Sequence, residues 1–160
     1  MNKLLKLLET NARKSNAELA VMLGVTEQQV ADQIAALERE GAIRGYQALV
    51  DWDRTDREYV TAIIELKVSP KKDSGFESIA EAVARLEEVE SVYLMSGGYD
   101  LSVVVSGRTF QEVAMFVSKR LSPMDAVLST ATHFVLRRYK DRGVIFAHQP
   151  RDEREQSLQN

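Results

Sequence analysis

Residues 15–46, SNAELAVMLGVTEQQVADQIAALEREGAIRGY, decide how the N-terminal third of the chain folds. Ser15 precedes Glu18 by three residues, and Thr26 precedes Gln29 by the same spacing. Both pairs are capping boxes, in which a hydroxyl accepts a first-turn N–H and the acid or amide three residues on accepts the N-cap N–H in return. An apolar stripe begins after each box: Leu19, Ala20, Met22 and Leu23 after the first, then Val30, Ile34 and Leu37 after the second. The positions Ala20, Gly24 and Val30 fit a helix-turn-helix. Ala20 is small where two helices cross, Gly24 supplies a left-handed turn residue, and Val30 anchors the second helix on the first. Leu4, Leu5, Leu7 and Leu8 add a further helix upstream. Gly41 ends the third helix, predicted over 27–40, and 43–50 (IRGYQALV) reads as extended, with Gly45 placed to turn a hairpin. Three helices and a wing would place the third helix in a DNA major groove.

Working outward, the apolar period changes near residue 50, at the charged stretch DWDRTDRE of 51–58, which reads as a linker. Residues 59–68 (YVTAIIELKV) predict a strand, and Ser74-x-x-Glu77 opens a helix with Phe76, Ile79, Val83 and Leu86 on one face. Two short strands, 91–96 and 101–106, flank the turn Gly97-Gly98-Tyr99-Asp100. Thr109-x-x-Glu112 opens another helix bearing Phe110, Val113, Val117 and Leu121, Pro123 stops it, and 127–139 reads as a last strand. The order β-α-β-β-α-β is the ferredoxin-like arrangement. The predicted class is α+β: a winged helix-turn-helix over 1–50, a linker over 51–58, a ferredoxin-like α/β sandwich over 59–140, and a polar, disordered tail over 141–160. Along the first strand, Tyr59, Thr61 and Ile63 share one side and Ala62, Ile64 and Leu66 the other. Neither side is wholly polar, and no helices remain to cover the second face, so pairing with another copy's sheet in a symmetric dimer is expected.

Composition narrows the function. The 160 residues are 44% apolar and 28% charged, values ordinary for soluble globular proteins. Zero cysteines exclude disulfides, thiolate metal sites and cysteine nucleophiles. His133 and His148 are the only imidazoles and stand in no metal-ligand spacing, so no metal site is expected. The N-terminus meets Glu9 too early for a signal peptide, and no apolar run approaches the roughly 20 residues of a membrane helix. Membrane association is therefore not expected, and a cytoplasmic location is. Neither G-x-S-x-G, nor a P-loop, nor G-x-G-x-x-G is present, and Glu87, Glu88 and Glu90 read as a solvated charge run.

A net charge of −3 means that any affinity for nucleic acid must be local. Residues 1–50 carry six basic and six acidic side chains, which cancel. The presumed recognition helix offers Gln28, Gln29 and Gln33 beside Glu27 and Asp32; Gln pairs with adenine, whereas the acids repel phosphate. Arg13 and Lys14 before the second helix, and Arg39 and Arg44 near the wing, are the candidate phosphate contacts, or else ordinary surface charges. Ser15 and Thr26, at the two helix starts, complete the DNA-facing set. In the second domain, the bare amides of Gly97-Gly98 suit a carboxylate and Asp100 an ammonium, which together fit an amino acid. The alternative is that the glycines only make the turn while Asp100 caps local amides. His133, in a strand, either lines a pocket or is simply packed.

LLKLLETNARKSNAELAVMLGVTEQQVADQIAALEREGAIRGYQALVD resembles the winged helix-turn-helix of the Lrp/AsnC regulators, and VYLMSGGYDLSVVV and LSTATHFVLRRYK resemble their effector domain. The resemblance spans about residues 2–140. It implies a sequence-specific DNA-binding transcriptional regulator, with no cofactor, that dimerises through its effector sheets, assembles further to tetramers or octamers, and senses an amino acid or related small molecule between dimers. The effector loop would be Ser96, Gly97, Gly98, Tyr99, Asp100 and Leu101, with Thr132, His133 and Phe134 supplied by a neighbouring dimer. Where family members carry arginines on the recognition helix, this chain has Glu27, Gln28, Gln29, Asp32 and Gln33. Two alternatives accommodate that departure. One is an enzyme similar to the siroheme decarboxylases, although the His-Arg pair those proteins share near the wing is replaced here by Ile43-Arg44. The other is a regulator subunit that requires a more basic partner.

Overall fold

Both capping boxes form. In a computed structural model that describes residues 2–69 and 75–146, Ser15 Oγ accepts the Glu18 N–H at 3.2 Å, and Glu18 Oε2 accepts the Ser15 N–H at 2.7 Å. Thr26 and Gln29 repeat the exchange at 3.2 and 2.9 Å. These caps start α2 (Asn16–Leu23) and α3 (Glu27–Arg39), which follow α1 (Asn2–Thr10). Gly24 closes α2 with φ +69°, a left-handed conformation that a Cβ would strain, and Gly41 turns the chain after α3 at φ +72°. Leu4, Leu8, Leu19, Ala20, Val30 and Leu37 are buried together between the three helices. Burial of a large aliphatic side chain contributes about 1.5–3 kcal/mol, so this cluster holds the small unit together.

The extended segment 43–50 departs from expectation. It joins no strand ladder: the Ile43 N–H bonds to Leu37 O, and Gly45 does not adopt the positive φ that a tight hairpin turn demands. The wing is therefore an extended arm within one chain and not a hairpin.

The chain divides into two compact units, Met1–Val50 and Asp51–Asn160. Residues 51–58, read from the sequence as a linker, are built into the second unit. A 3₁₀ turn (Trp52–Arg54) brings the Trp52 ring 5.7 Å from that of Tyr59, and the Arg57 guanidinium lies over both, 4.4 and 5.4 Å from their centres. Tyr59 then donates its hydroxyl to Glu90 at 2.5 Å.

Beyond this knot come β1 (Val60–Val68), α4 (Gly75–Ala84), β2 (Val89–Leu94), β3 (Leu101–Gly107), α5 (Phe110–Phe116) continuing into a π turn (Val117–Leu121), and β4 (Val127–Phe134). The sheet order is β2-β3-β1-β4, antiparallel throughout, as the β-α-β-β-α-β reading requires. Thr109 caps α5 by accepting the Glu112 N–H, while Glu112 reaches back to the Arg108 N–H. Ser74, the expected cap of α4, lies outside the described residues. Ala62, Ile64 and Leu66 stand opposite Val105, Val103 and Leu101 of β3 and, with Val68, form the core beneath the helices.

Three expectations need correction here. The last strand ends at Phe134 and not near 139. The Val135 N–H still bonds to Thr61 O, after which β1 offers no further partner, and the chain turns into a two-residue ladder, β5 (Lys140–Asp141) with β6 (Val144–Ile145), through Arg142 and Gly143 at positive φ. The tail read as starting at 141 is thus ordered through 146, and 147–160 lie outside the described residues. The acidic run is not merely solvated: Glu90 holds Tyr59, and Glu88 accepts from Arg120 at 3.3 Å.

Candidate functional site

The helix-turn-helix presents its candidate residues unequally. Arg13 is exposed and Lys14 half-buried just before α2, with the Asn11 side chain accepting the Arg13 N–H at 3.0 Å. Ser15, Thr26 and Gln29 are already spent on the caps, so their side chains hold helix starts together before any DNA arrives. The cap also acidifies Glu18: bonds from the Ser15 N–H and hydroxyl hold its carboxyl below the usual range. Gln28 donates to Asp32 at 2.9 Å, one turn along α3, which orients the amide and occupies an acidic oxygen that would otherwise oppose phosphate. Gln33 is exposed and makes no side-chain hydrogen bond among the described residues. Arg39 is exposed at the end of α3. The Arg44 guanidinium lies over Gly41, where an added Cβ would come within 3.3 Å of it. Tyr46 donates to Glu38 at 2.9 Å, which fastens the arm to α3; desolvation, then Glu38, push its hydroxyl pKa up.

In the second unit, the loop between β2 and β3 is built by its backbone. The Met95 N–H bonds to Asp100 O at 2.8 Å, and the Asp100 N–H to Leu66 O at 2.9 Å. Gly97 sits at φ +142°, a conformation that side chains rarely adopt, whereas Gly98 has no such constraint and a Cβ there would meet nothing within 4 Å. Neither backbone strain nor packing explains the bareness of Gly98. Asp100 Oδ2 accepts the Val68 N–H at 2.8 Å, at the end of β1 where the β1–β4 register shifts. That carboxylate oxygen closes the sheet end. Leu101 is fully buried in the core, so only its backbone is open to a ligand.

A cavity of about 280 Å³ opens beside this loop. Gly98 and Tyr99 form one wall, Ser129, Thr130 and Ala131 of β4 another, and Glu65 and Lys67 of β1 complete it. Sequence reading missed the last five, which share no motif; strand register alone aligns Glu65 with Ala131 and Lys67 with Ser129. The residues expected from a neighbouring dimer lie further along β4. Thr132 and Phe134 pair opposite Ile64 and Ala62 on the helix side, with the Phe134 ring edge-on to Phe110 at 4.8 Å between centres. His133 lies on the open sheet face, its Nε2 3.4 Å from Glu65 Oε1.

Comparison with known proteins fits this arrangement. Residues 61–145 match the Lrp/AsnC ligand binding domain, and residues 2–44 match a winged helix-turn-helix DNA-binding family. An HTH-type transcriptional regulator of Bacillus subtilis is 47% identical over 144 residues, covering 89% of this chain and 87% of that protein. The structure of E. coli AsnC superposes with a TM-score of 0.67 at 24% identity, over 88% of this chain and 93% of that one. A transcriptional regulator from Neisseria meningitidis, solved with L-methionine, superposes with a TM-score of 0.70 at 25% identity, over 87% and 89% of the two chains. A helix-turn-helix whose caps set its helices, joined to a βαββαβ unit with a glycine loop beside a small cavity, together with these matches, places the chain in the Lrp/AsnC family of DNA-binding transcriptional regulators.

Proposed function

We propose that the chain binds specific DNA through its first unit and adjusts that binding to an amino acid or related small effector held in the glycine-loop cavity between copies of the protein. The observation that carries the reading is the cavity itself, which joins Gly98 and Tyr99 to polar groups of β1 and β4. At about 280 Å³ it lies just below the usual range for drug-sized ligands and suits a metabolite the size of one amino acid. The open sheet face, with Ile63, Val104 and Tyr93 on it, is the surface through which two copies pair. The Neisseria meningitidis structure with L-methionine is a precedent for an amino acid on this fold.

On the DNA side, Arg13, Lys14, Arg39 and Arg44 position the protein on phosphates, and Gln28 and Gln33 read base edges. Two copies double the phosphate contacts and compensate for a charge-neutral DNA unit. The test is fluorescence anisotropy of the full chain on DNA from upstream of its own gene over a salt series. Arg13→Ala and Lys14→Ala each lower the log–log salt slope by about 0.9 per bound copy, about 1.8 when two copies bind together. An unchanged slope removes these residues from the interface. Negligible binding by the wild type at low salt, restored by mixing with a more basic family member, would instead establish a subunit that works only in mixed assemblies.

A further inference from the structure

We infer that the hairpin of β5 and β6 is a second contact with DNA, one that the second unit makes on the phosphate backbone through Arg137, Lys140 and Arg142 whatever the base sequence. The distribution of charge points there first. Residues 137–142 (RRYKDR) hold four basic side chains and one acidic one, while the other 154 residues hold 17 basic and 23 acidic ones. Arg138 is spent within the hairpin: it reaches Asp141 at 3.5 Å, so the one acid is neutralised, and its guanidinium lies 4.8 Å from the centre of the Phe146 ring. Arg137, Lys140 and Arg142 are exposed, and none has a carboxylate or hydrogen-bond partner among the described residues. The Tyr139 ring, 5.4 Å from the Arg137 guanidinium, holds that side chain in place without cancelling its charge.

The turn is the second observation. Asp141 pairs with Val144, so Arg142 and Gly143 form a two-residue loop, with φ +44° and +84°. A loop with both central residues left-handed favours Asn, Asp or Gly at the first of them, because most side chains are strained there. Arg142 is the one non-glycine residue at positive φ among the described residues. It serves the turn badly and sets an unpaired guanidinium at the tip of the ribbon, and strain of this kind gathers at functional positions. Guanidinium and ammonium groups on a hydrogen-bonded ribbon complement a run of phosphates, a contact that positions a protein without reading sequence. The chain is a DNA-binding regulator whose helix-turn-helix unit has no net charge, so DNA is the polyanion these cations meet. Leu136, Val144 and Ile145 are exposed beside them, and a second copy seated on those side chains is the competing occupant.

The test is fluorescence anisotropy of the full chain over a salt series, on DNA from upstream of its own gene and on a duplex of unrelated sequence, with sedimentation velocity of every variant. The triple variant Arg137→Gln, Lys140→Gln and Arg142→Gln is expected to lower the log–log salt slope on both duplexes by about 2.7 per bound copy, about 0.9 for each lost phosphate contact. The ratio of the two affinities should stay the same, because phosphate contacts carry no sequence information. Arg142→Gly relieves the positive φ and should still lose its share of the slope, whereas Arg142→Lys should keep it; a merely structural Arg142 would show neither result. A triple variant with the wild-type slope overturns the inference and leaves the helix-turn-helix as the DNA site. So does an Arg142→Gly protein that binds as the wild type does. Variants that fall to smaller assemblies overturn it as well, since the hairpin is then an interface between copies. If the wild type binds neither duplex at low salt, the DNA reading itself fails, and this inference with it.

Discussion

Asp100→Ala is the sharpest probe of how the glycine loop is held. The substitution removes one interaction, the 2.8 Å bond from the Val68 N–H to Asp100 Oδ2; the backbone bonds of Asp100 to Leu66 and Met95 are untouched. Val68 is only 5% exposed, so water cannot readily replace the lost acceptor. A hydrogen bond to a charged group contributes about 1.5–3 kcal/mol. For a unit of this size about 4 °C of melting temperature accompanies each kcal/mol, which gives a fall of about 6–12 °C. Asp100→Asn keeps an acceptor oxygen without the charge and should recover about half of that loss. The assay is thermal unfolding followed by the fluorescence of Trp52, the single tryptophan, which lies in the second unit and so reports that unit's transition. An Asp100→Ala protein melting within about 2 °C of wild type would refute the argument that this carboxylate closes the end of β1.

Other consequences follow from the same geometry. Leu37 is 2% exposed in the small first core, and Leu37→Ala, at about 2–5 kcal/mol, should abolish the helical circular-dichroism signal of that unit and DNA binding while leaving the Trp52 transition in place. Ile63→Glu puts a charge in the middle of the open sheet face and, where two copies pair as proposed, should give monomers in sedimentation velocity that keep the circular-dichroism spectrum of the wild type. Burial first, and the bond to Glu90 second, raise the Tyr59 hydroxyl above the ordinary 10.0. The stability this supplies is therefore complete below pH 10.0 and is lost as pH rises through the higher folded value. The phenolate absorbance titration of wild type minus that of Tyr59→Phe should show a late-ionising phenol, and Glu90→Gln should bring it earlier.

Much of the fold was legible because its signals are local. Ser15 with Glu18, and Thr26 with Gln29, announce helix starts within four residues, and the alternation along β1 sorts Ala62, Ile64 and Leu66 from Thr61 and Ile63 onto opposite faces, of which the fold then turns the first toward the helices. What escaped was set by partners distant in sequence. Glu65 and Lys67 join the glycine loop only through the pairing of β1 with β4, and Asp100 finds the Val68 N–H across 32 positions. The charged stretch 51–58 looked like a linker because its apolar residue, Trp52, packs on Arg57 and Tyr59, a cluster with no periodicity to betray it. Position 43–50 carried a hairpin-competent glycine, but a glycine permits a turn without requiring one.

The most direct measurement of the central claim is anisotropy of the wild-type chain on its own upstream DNA at fixed salt, with and without a pool of amino acids. A regulator whose DNA unit answers to an effector in the second unit should show a reproducible shift in dissociation constant, about fivefold or more, when the pool is added. Tight DNA binding that no member of the pool alters would contradict the coupling of the two units.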